Sequence, residues 1–128
     1  MTYRLMVVGS KDWEEDEKVH RELSRVHDAV EHRSITLVTV GVGGHGKGAE
    51  AMAVEVAGAL GWDVELYPPN WDQFGQSPYL YSVAEIVDTR PDLCLAFGCA
   101  WSDLIDSAAS MVETVGIMIE RFEETNYG

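Results

Sequence analysis

The feature that most constrains this chain is a glycine-rich loop between an apolar run and a helix of small residues. Residues 39–60 read TVGVGGHGKGAEAMAVEVAGAL, with β-branched residues before the loop and alanines after it. A strand that enters a helix through glycines presents backbone N–H groups and a helix N-terminus to an anion, usually a phosphate. The stretch therefore predicts a phosphate-bearing ligand, held by a loop of five glycines: Gly41, Gly43, Gly44, Gly46 and Gly48.

Strand and helix patterns alternate along the whole chain. Runs of β-branched and apolar residues predict five strands, at Tyr3–Val8, Ile35–Val40, Asp63–Tyr67, Leu93–Phe97 and Gly116–Glu120. Apolar residues at helical spacing predict four helices, at about Glu14–His32, Lys47–Leu60, Pro78–Thr89 and Leu104–Val115. This order predicts one α/β domain over residues 1–128, a Rossmann-like parallel sheet of about five strands with helices on both faces.

In such a sheet, ligands bind outside the carboxyl ends of the strands, near the point where the strand order reverses. The predicted loops at that edge hold most of the small polar residues and three of the four tryptophans. They are Gly9–Trp13, Gly41–Gly48, Pro68–Ser77 and Gly98–Asp103.

The net charge of −13 argues against binding to nucleic acids or anionic membranes, because both depend on Lys and Arg. No apolar run approaches the roughly 20 residues of a membrane span, and Tyr3–Val8 reads as a strand rather than a leader. We expect an acidic, soluble, cytoplasmic protein. The two cysteines are too few for a zinc site, and Cys94 is predicted to be a buried thiol. We expect no metal or resident cofactor.

The glycine loop partly fits two common nucleotide motifs. Gly41, Gly46 and Lys47 have the spacing of a Walker P-loop, but Gly48 stands where Ser or Thr would hold magnesium. Gly41, Gly43 and Gly46 fit a dinucleotide fingerprint, but the next strand is predicted to end in Tyr67 rather than an acid.

Four segments together give a more specific match. They are GSKDW at 9–13, GGHGKGAE at 43–50, PPNWDQFG at 68–75 and PDLCLAF at 91–97. In the same order they resemble G-S-R-D-W, H-G-G-A-R-G-A-D, P-A-D-W-E-R-H-G and P-D-L-V-L-A-F of the YspA-type, cpYpsA-related SLOG family. The resemblance implies a Rossmann-like fold that binds nucleotides or nucleotide-derived ligands.

The wider superfamily includes DNA-uptake proteins of the DprA kind, LOG-type phosphoribohydrolases and sensors of nucleotide signals in anti-phage defence. Small members are common in phages and actinobacteria. Two stretches here differ from the family pattern: Tyr79–Ser82 replaces an Arg-Asn pair, and Gly98–Asp103 has one glycine in place of the three in a second phosphate loop, P-G-G-x-G-T. Since the hydrolase relatives need that loop and a nearby Arg–Glu pair, the resemblance supports the fold more strongly than the hydrolase chemistry.

The candidate site residues lie on the matched motifs. Lys11 and Lys47 are predicted phosphate partners, because they are the two cations in the predicted ligand-facing loops. Glu50 has three open roles: acceptor for a ribose hydroxyl, acid or base, or a carboxylate stabilised by the helix dipole. Trp71 and Trp101 are predicted to stack on a base or ribose beside Asn70 and Ser102. The predicted phosphate-binding set is Gly9, Ser10, Lys11, Gly43, Gly44, His45, Gly46, Lys47, Gly48 and Glu50.

The leading hypothesis is a sensor or sequestering protein for a nucleotide-derived small molecule, such as an ADP-ribose-type signal. The first alternative is a phosphoribohydrolase that cleaves the N-glycosidic bond of a nucleoside monophosphate, with Glu50 as its candidate catalytic residue. The second is a non-catalytic interaction subunit with no small ligand. By analogy with relatives we expect a homodimer or higher homo-oligomer.

Overall fold

A computed structural model of the chain describes residues 2–30, 34–41, 48–69, 78–98 and 103–124. Within these residues, five strands alternate with four helices. The elements are β1 (Thr2–Gly9), α1 (Asp16–Ala29), β2 (Ser34–Thr39), α2 (Gly48–Ala59), β3 (Asp63–Leu66), α3 (Pro78–Asp88), β4 (Leu93–Gly98), α4 (Asp103–Thr114) and β5 (Ile119–Glu123). The predicted order of strands and helices is confirmed.

The five strands form one parallel sheet in the order β3-β2-β1-β4-β5. Strands β2 and β3 are added in turn on one side of β1, and β4 and β5 are added on the other side. The strand order therefore reverses between β1 and β4. These two strands are central and buried on both faces, which explains their continuous apolar sequences. The reversal identifies the sheet edge where a ligand is expected.

Helices cover both faces of the sheet, as predicted. Helices α1 and α2 pack with Leu5, Leu37 and Leu95 on one face. Helices α3 and α4 pack with Met6, Val38 and their neighbours on the other face. Cys94 is fully buried in this second layer, as expected for a structural thiol. In the described part of the chain, no helix is long and apolar enough to cross a membrane.

The predicted bounds of two elements are wrong. Strand β5 runs from Ile119 to Glu123, three residues later than predicted, because the chain is still leaving α4 at Gly116. Gly116 has φ +85°, and its N–H donates to the Glu113 carbonyl at 3.0 Å, which ends the helix before a strand can begin. Helix α1 begins at Asp16 rather than Glu14 and ends at Ala29 rather than His32, since Val30 has left helical geometry.

Candidate functional site

The loop after β1 lies at the carboxyl ends of β1 and β4, where the strand order reverses. The Ser10 N–H donates to the Phe97 carbonyl at 2.9 Å, so contact with β4 continues past the end of β1. Ser10 is buried, and Trp13 packs edge-on against Phe97 with ring centroids 5.3 Å apart. The loop after β1 is therefore fixed by contacts of Ser10 and Trp13 with Phe97 of β4.

The same loop contacts the first turn of α2. The Ala49 N–H donates to the Ser10 carbonyl at 3.1 Å. Gly48 has φ +86°, and a Cβ atom on it would lie 2.7 Å from Lys11 Cα. A Cβ on Gly9 would lie 2.5 Å from Ala49 Cβ. Glycine is required at both positions because the backbones approach so closely. Two motifs that are far apart in the sequence thus meet at one place.

Glu50 lies in the first turn of α2 and is fully buried. Its Oε1 accepts a hydrogen bond from the Gly41 N–H at 2.8 Å. Its Oε2 accepts one from the Gly9 N–H at 3.2 Å and one from the Tyr79 hydroxyl at 2.5 Å. We call Glu50 with Gly9, Gly41 and Tyr79 the Glu50 cluster. Because the carboxylate accepts all three bonds, it has the hydrogen-bonding role of an ionised group.

Burial and the nearby Glu50 carboxylate change the chemistry of the Tyr79 and Cys94 side chains. Burial, and then the charge of Glu50, raise the pKa of Tyr79 well above its ordinary value, so the hydroxyl remains a donor at neutral pH. Burial, and then Glu50, also raise the pKa of Cys94. The buried thiol is therefore protonated at neutral pH.

The structure describes five of the predicted site residues, and these five lie close together. Gly9, Ser10 and Lys11 contact Gly48 and the start of α2, while Glu50 lies beneath them. Lys11 is exposed and Ser10 is buried. The remaining predicted residues lie outside the described residues, so their contacts stay predictions: Gly43, Gly44, His45, Gly46, Lys47, Asn70, Trp71, Trp101 and Ser102.

Tyr79 is a site residue that the sequence analysis did not identify. The buried face of α3 contains Tyr79, Val83, Ile86 and Val87 at helical spacing, whereas Leu80 is only partly buried. This spacing was a usable signal, because the tyrosine fits the buried face better than the leucine beside it. Periodicity alone did not indicate that its hydroxyl meets a carboxylate.

An acidic cleft of about 340 Å³ lies where the chain enters α1. It is lined by Glu14, Glu15, Asp16, Glu17 and Glu124. Acidic residues in a first turn are favoured by the helix dipole, which explains those at the start of α1. Within the described ranges, no group of His, Cys, Asp and Glu is arranged to hold a metal ion. The cleft therefore gives no indication of a metal site.

Comparison with known proteins identifies the family of the chain. No curated protein and no solved structure matches it. The family model of the YspA, cpYpsA-related SLOG family matches residues 3–74, which is more than half of the chain. The match includes the loop after β1, the glycine loop and most of the segment after β3, and it ends before the 91–97 motif. The five-stranded parallel sheet with helices on both faces agrees with this assignment. The chain therefore belongs to the YspA, cpYpsA-related SLOG family.

Proposed function

We propose that this protein binds a nucleotide-derived small molecule through its glycine-rich phosphate loops, as a sensor or a sequestering protein. The Ser10–Ala49 hydrogen bond is the observation that carries the proposal. It places the loop after β1 beside the first turn of α2. The N-terminal end of a helix favours anions. Membership of the SLOG family supports a nucleotide-related ligand, and an ADP-ribose-type signal is our leading example.

The position of Glu50 favours binding over hydrolysis. A general acid or base must come within hydrogen-bond reach of the reacting group. Glu50 is fully buried, and each of its oxygens already accepts a hydrogen bond from the protein. These contacts support a role inside the protein rather than an attack on a glycosidic bond.

Lys11 supplies positive charge at this edge. Its side chain is exposed, and its backbone lies against Gly48 at the start of α2. In a protein of net charge −13, a cation beside a helix N-terminus provides local electrostatic attraction for an anionic ligand. Cytoplasmic location and assembly into a homodimer remain predictions from the sequence.

A ligand fate assay tests the proposal. The purified protein is mixed with nucleoside monophosphates, NAD, ADP-ribose and cyclic dinucleotides, and free ligand is removed. The protein is then denatured by heat, and both fractions are analysed by liquid chromatography with mass detection. We expect one ligand to be recovered intact from the protein fraction. Catalytic release of free base and ribose phosphate would instead support the hydrolase. Recovery of no ligand would favour an interaction subunit.

A further inference from the structure

The Glu50 cluster links three segments that the sequence analysis assigned to the ligand edge. Gly9 ends β1 and leads into Ser10 and Lys11. Gly41 follows β2 and leads into the glycine loop, and Tyr79 follows the segment 70–77. All three donate a hydrogen bond to the same carboxylate. The position of that carboxylate therefore sets the relative position of Gly9, Gly41 and Tyr79.

Tyr79 approaches the carboxylate from the opposite side of the sheet. Glu50 belongs to α2, which packs on the same face as α1, whereas Tyr79 belongs to α3 on the other face. Their hydrogen bond passes over the ends of β1 and β2, at the edge expected to bind the ligand. It thus ties the two helical layers together at that edge.

The Tyr79 hydroxyl adds to the positioning of the carboxylate beyond what the Gly9 and Gly41 N–H groups provide. Oε1 has the Gly41 N–H, and Oε2 shares the Gly9 N–H with the Tyr79 hydroxyl. The Tyr79 bond, at 2.5 Å, is the shortest of the three. A short bond from a buried hydroxyl to a carboxylate is of the strong, charge-assisted kind. Without it, Oε2 loses the shortest of these bonds, which weakens the positioning of the carboxylate beside Gly9.

We propose that Tyr79 is a positioning residue for ligand binding: its hydroxyl fixes the Glu50 carboxylate, which in turn holds the Gly9 and Gly41 amides where the two phosphate loops begin. The inference rests on the proposed function, since it assumes that these loops bind the ligand. It assigns Tyr79 no contact with the ligand and no part in chemistry.

Tyr79→Phe is the test variant, because it removes one hydroxyl and keeps the ring in the core. Val83→Ala is the matched control. Val83 lies one turn further along α3, is fully buried in the same core cluster, and loses only apolar atoms on substitution. The control reproduces a loss of stability in α3 while leaving the Glu50 cluster intact.

Two measurements are made on the full chain at a temperature where all variants are folded. Calorimetry gives the affinity for ADP-ribose and for inorganic pyrophosphate, and hydrogen exchange gives the protection of the Gly9 and Gly41 amides. We expect Tyr79→Phe to weaken binding about tenfold and to speed exchange at both amides by a similar factor, as for loss of a hydrogen bond to a charged group. Val83→Ala should lower the melting temperature and change neither quantity by more than about twofold.

Three outcomes would overturn the proposal. They are wild-type affinity in Tyr79→Phe, an equal loss of affinity in Val83→Ala, and unchanged exchange at Gly9 and Gly41 in Tyr79→Phe. If the wild-type protein binds neither probe, the proposed function fails for these ligands, and amide exchange alone decides whether Tyr79 helps to position the Gly9 and Gly41 amides. Faster exchange at both glycines then supports the positioning role, and unchanged exchange rejects it.

Discussion

The Tyr79 hydroxyl and the Glu50 carboxylate lie 2.5 Å apart, although their helices pack on opposite faces of the sheet. Their contact occurs at the ends of β1 and β2, where the backbone N–H groups of Gly9 and Gly41 donate to the same carboxylate. A buried carboxylate is costly unless it is hydrogen-bonded. The Glu50 carboxylate accepts hydrogen bonds from Gly9, Gly41 and Tyr79, and it holds these same three residues together.

Replacing Glu50 by Gln should destabilise the protein. The Gln amide has one acceptor and one donor group, so it cannot accept bonds at both ends of the side chain. If its oxygen faces Gly41, its NH₂ group faces the Gly9 N–H, and two donors then oppose each other. A buried donor left without an acceptor costs about 1–3 kcal/mol. Urea unfolding should show a loss of this size in the free energy of unfolding.

Glu55→Gln is the control for that measurement. Glu55 lies on the same helix and is exposed, so the same chemical change should alter the free energy of unfolding by less than about 0.5 kcal/mol. Equal unfolding curves for Glu50→Gln and the wild type would show that the hydrogen bonds from Gly9, Gly41 and Tyr79 to Glu50 contribute little to stability.

Gly9→Ala should also be destabilising, for a steric reason. The new Cβ would lie 2.5 Å from Ala49 Cβ and 3.1 Å from the Phe97 carbonyl oxygen. Helix α2 must then move away from β1, and overpacking of this kind costs about 1–3 kcal/mol. The double variant Gly9→Ala/Ala49→Gly removes the closest clash, so thermal unfolding should show partial recovery of stability.

Gly58→Ala in α2 should have the opposite effect. A Cβ on Gly58 meets no atom within 4 Å, and alanine is the better helix former by roughly 0.5–1 kcal/mol. A raised melting temperature for Gly58→Ala beside a lowered one for Gly9→Ala would show that an added Cβ is costly where β1 and α2 approach closely and not on the open side of α2. If both variants were stabilised, the result would contradict the close approach of α2 to β1 at Gly9.

The fold was predictable because it depends on local patterns. The apolar runs of β1 and β4 and the alanines of α2 each have a spacing or composition that indicates one kind of element. Strand β5 was misplaced because Ile117 continues the apolar pattern, while Gly116 before it ends α4. An apolar run alone does not show where a helix stops.

The role of Glu50 was not predictable from the sequence. A carboxylate in the first turn of a helix usually interacts with the helix dipole in solvent, and that pattern is all the sequence shows. Its donors Gly9 and Tyr79 lie 41 and 29 residues away. They meet Glu50 only after the sheet has formed and α2 and α3 have packed on opposite faces. The contact is therefore a property of the tertiary structure.

Stability should also depend on pH through the Arg4–Glu65 pair. The Arg4 guanidinium donates to both oxygens of Glu65, at 3.0 and 3.1 Å, and these bonds lower the pKa of Glu65. A carboxyl with a lowered folded-state pKa stabilises the protein above its unfolded pKa, about 4.3. That contribution is lost as the pH falls through the folded-state pKa.

Glu65→Gln should therefore reduce the free energy of unfolding at pH 7 and have a smaller effect at about pH 3. The side chains are 23% and 45% exposed, so solvent screens the pair and the loss at pH 7 should be about 0.5–1 kcal/mol. Chemical denaturation at both pH values measures the difference. The exposed Glu85 on α3 provides the control, Glu85→Gln. A cost for Glu65→Gln that is the same at both pH values would contradict the ion-pair explanation.

Lys11→Ala should weaken the binding of ADP-ribose while leaving the fold intact. Lys11 is exposed and its backbone lies against Gly48 at the start of α2, so its charge acts at the proposed phosphate site. A charge-assisted contact at a partly solvated position should be worth about three- to tenfold in affinity. The difference from the wild type should shrink as salt is added, because salt screens exposed charges.

Arg21→Ala removes the same charge from α1, where the Arg21 side chain is 67% exposed. Calorimetry on both variants at low and high salt separates a local contact from the effect of net charge. A local contact predicts a loss for Lys11→Ala only. Equal losses in the two variants would mean that ADP-ribose responds to the overall charge of −13, because removing any cation would then raise the same general repulsion. That result would place the phosphate away from Lys11, even if the ligand were still recovered intact with the protein.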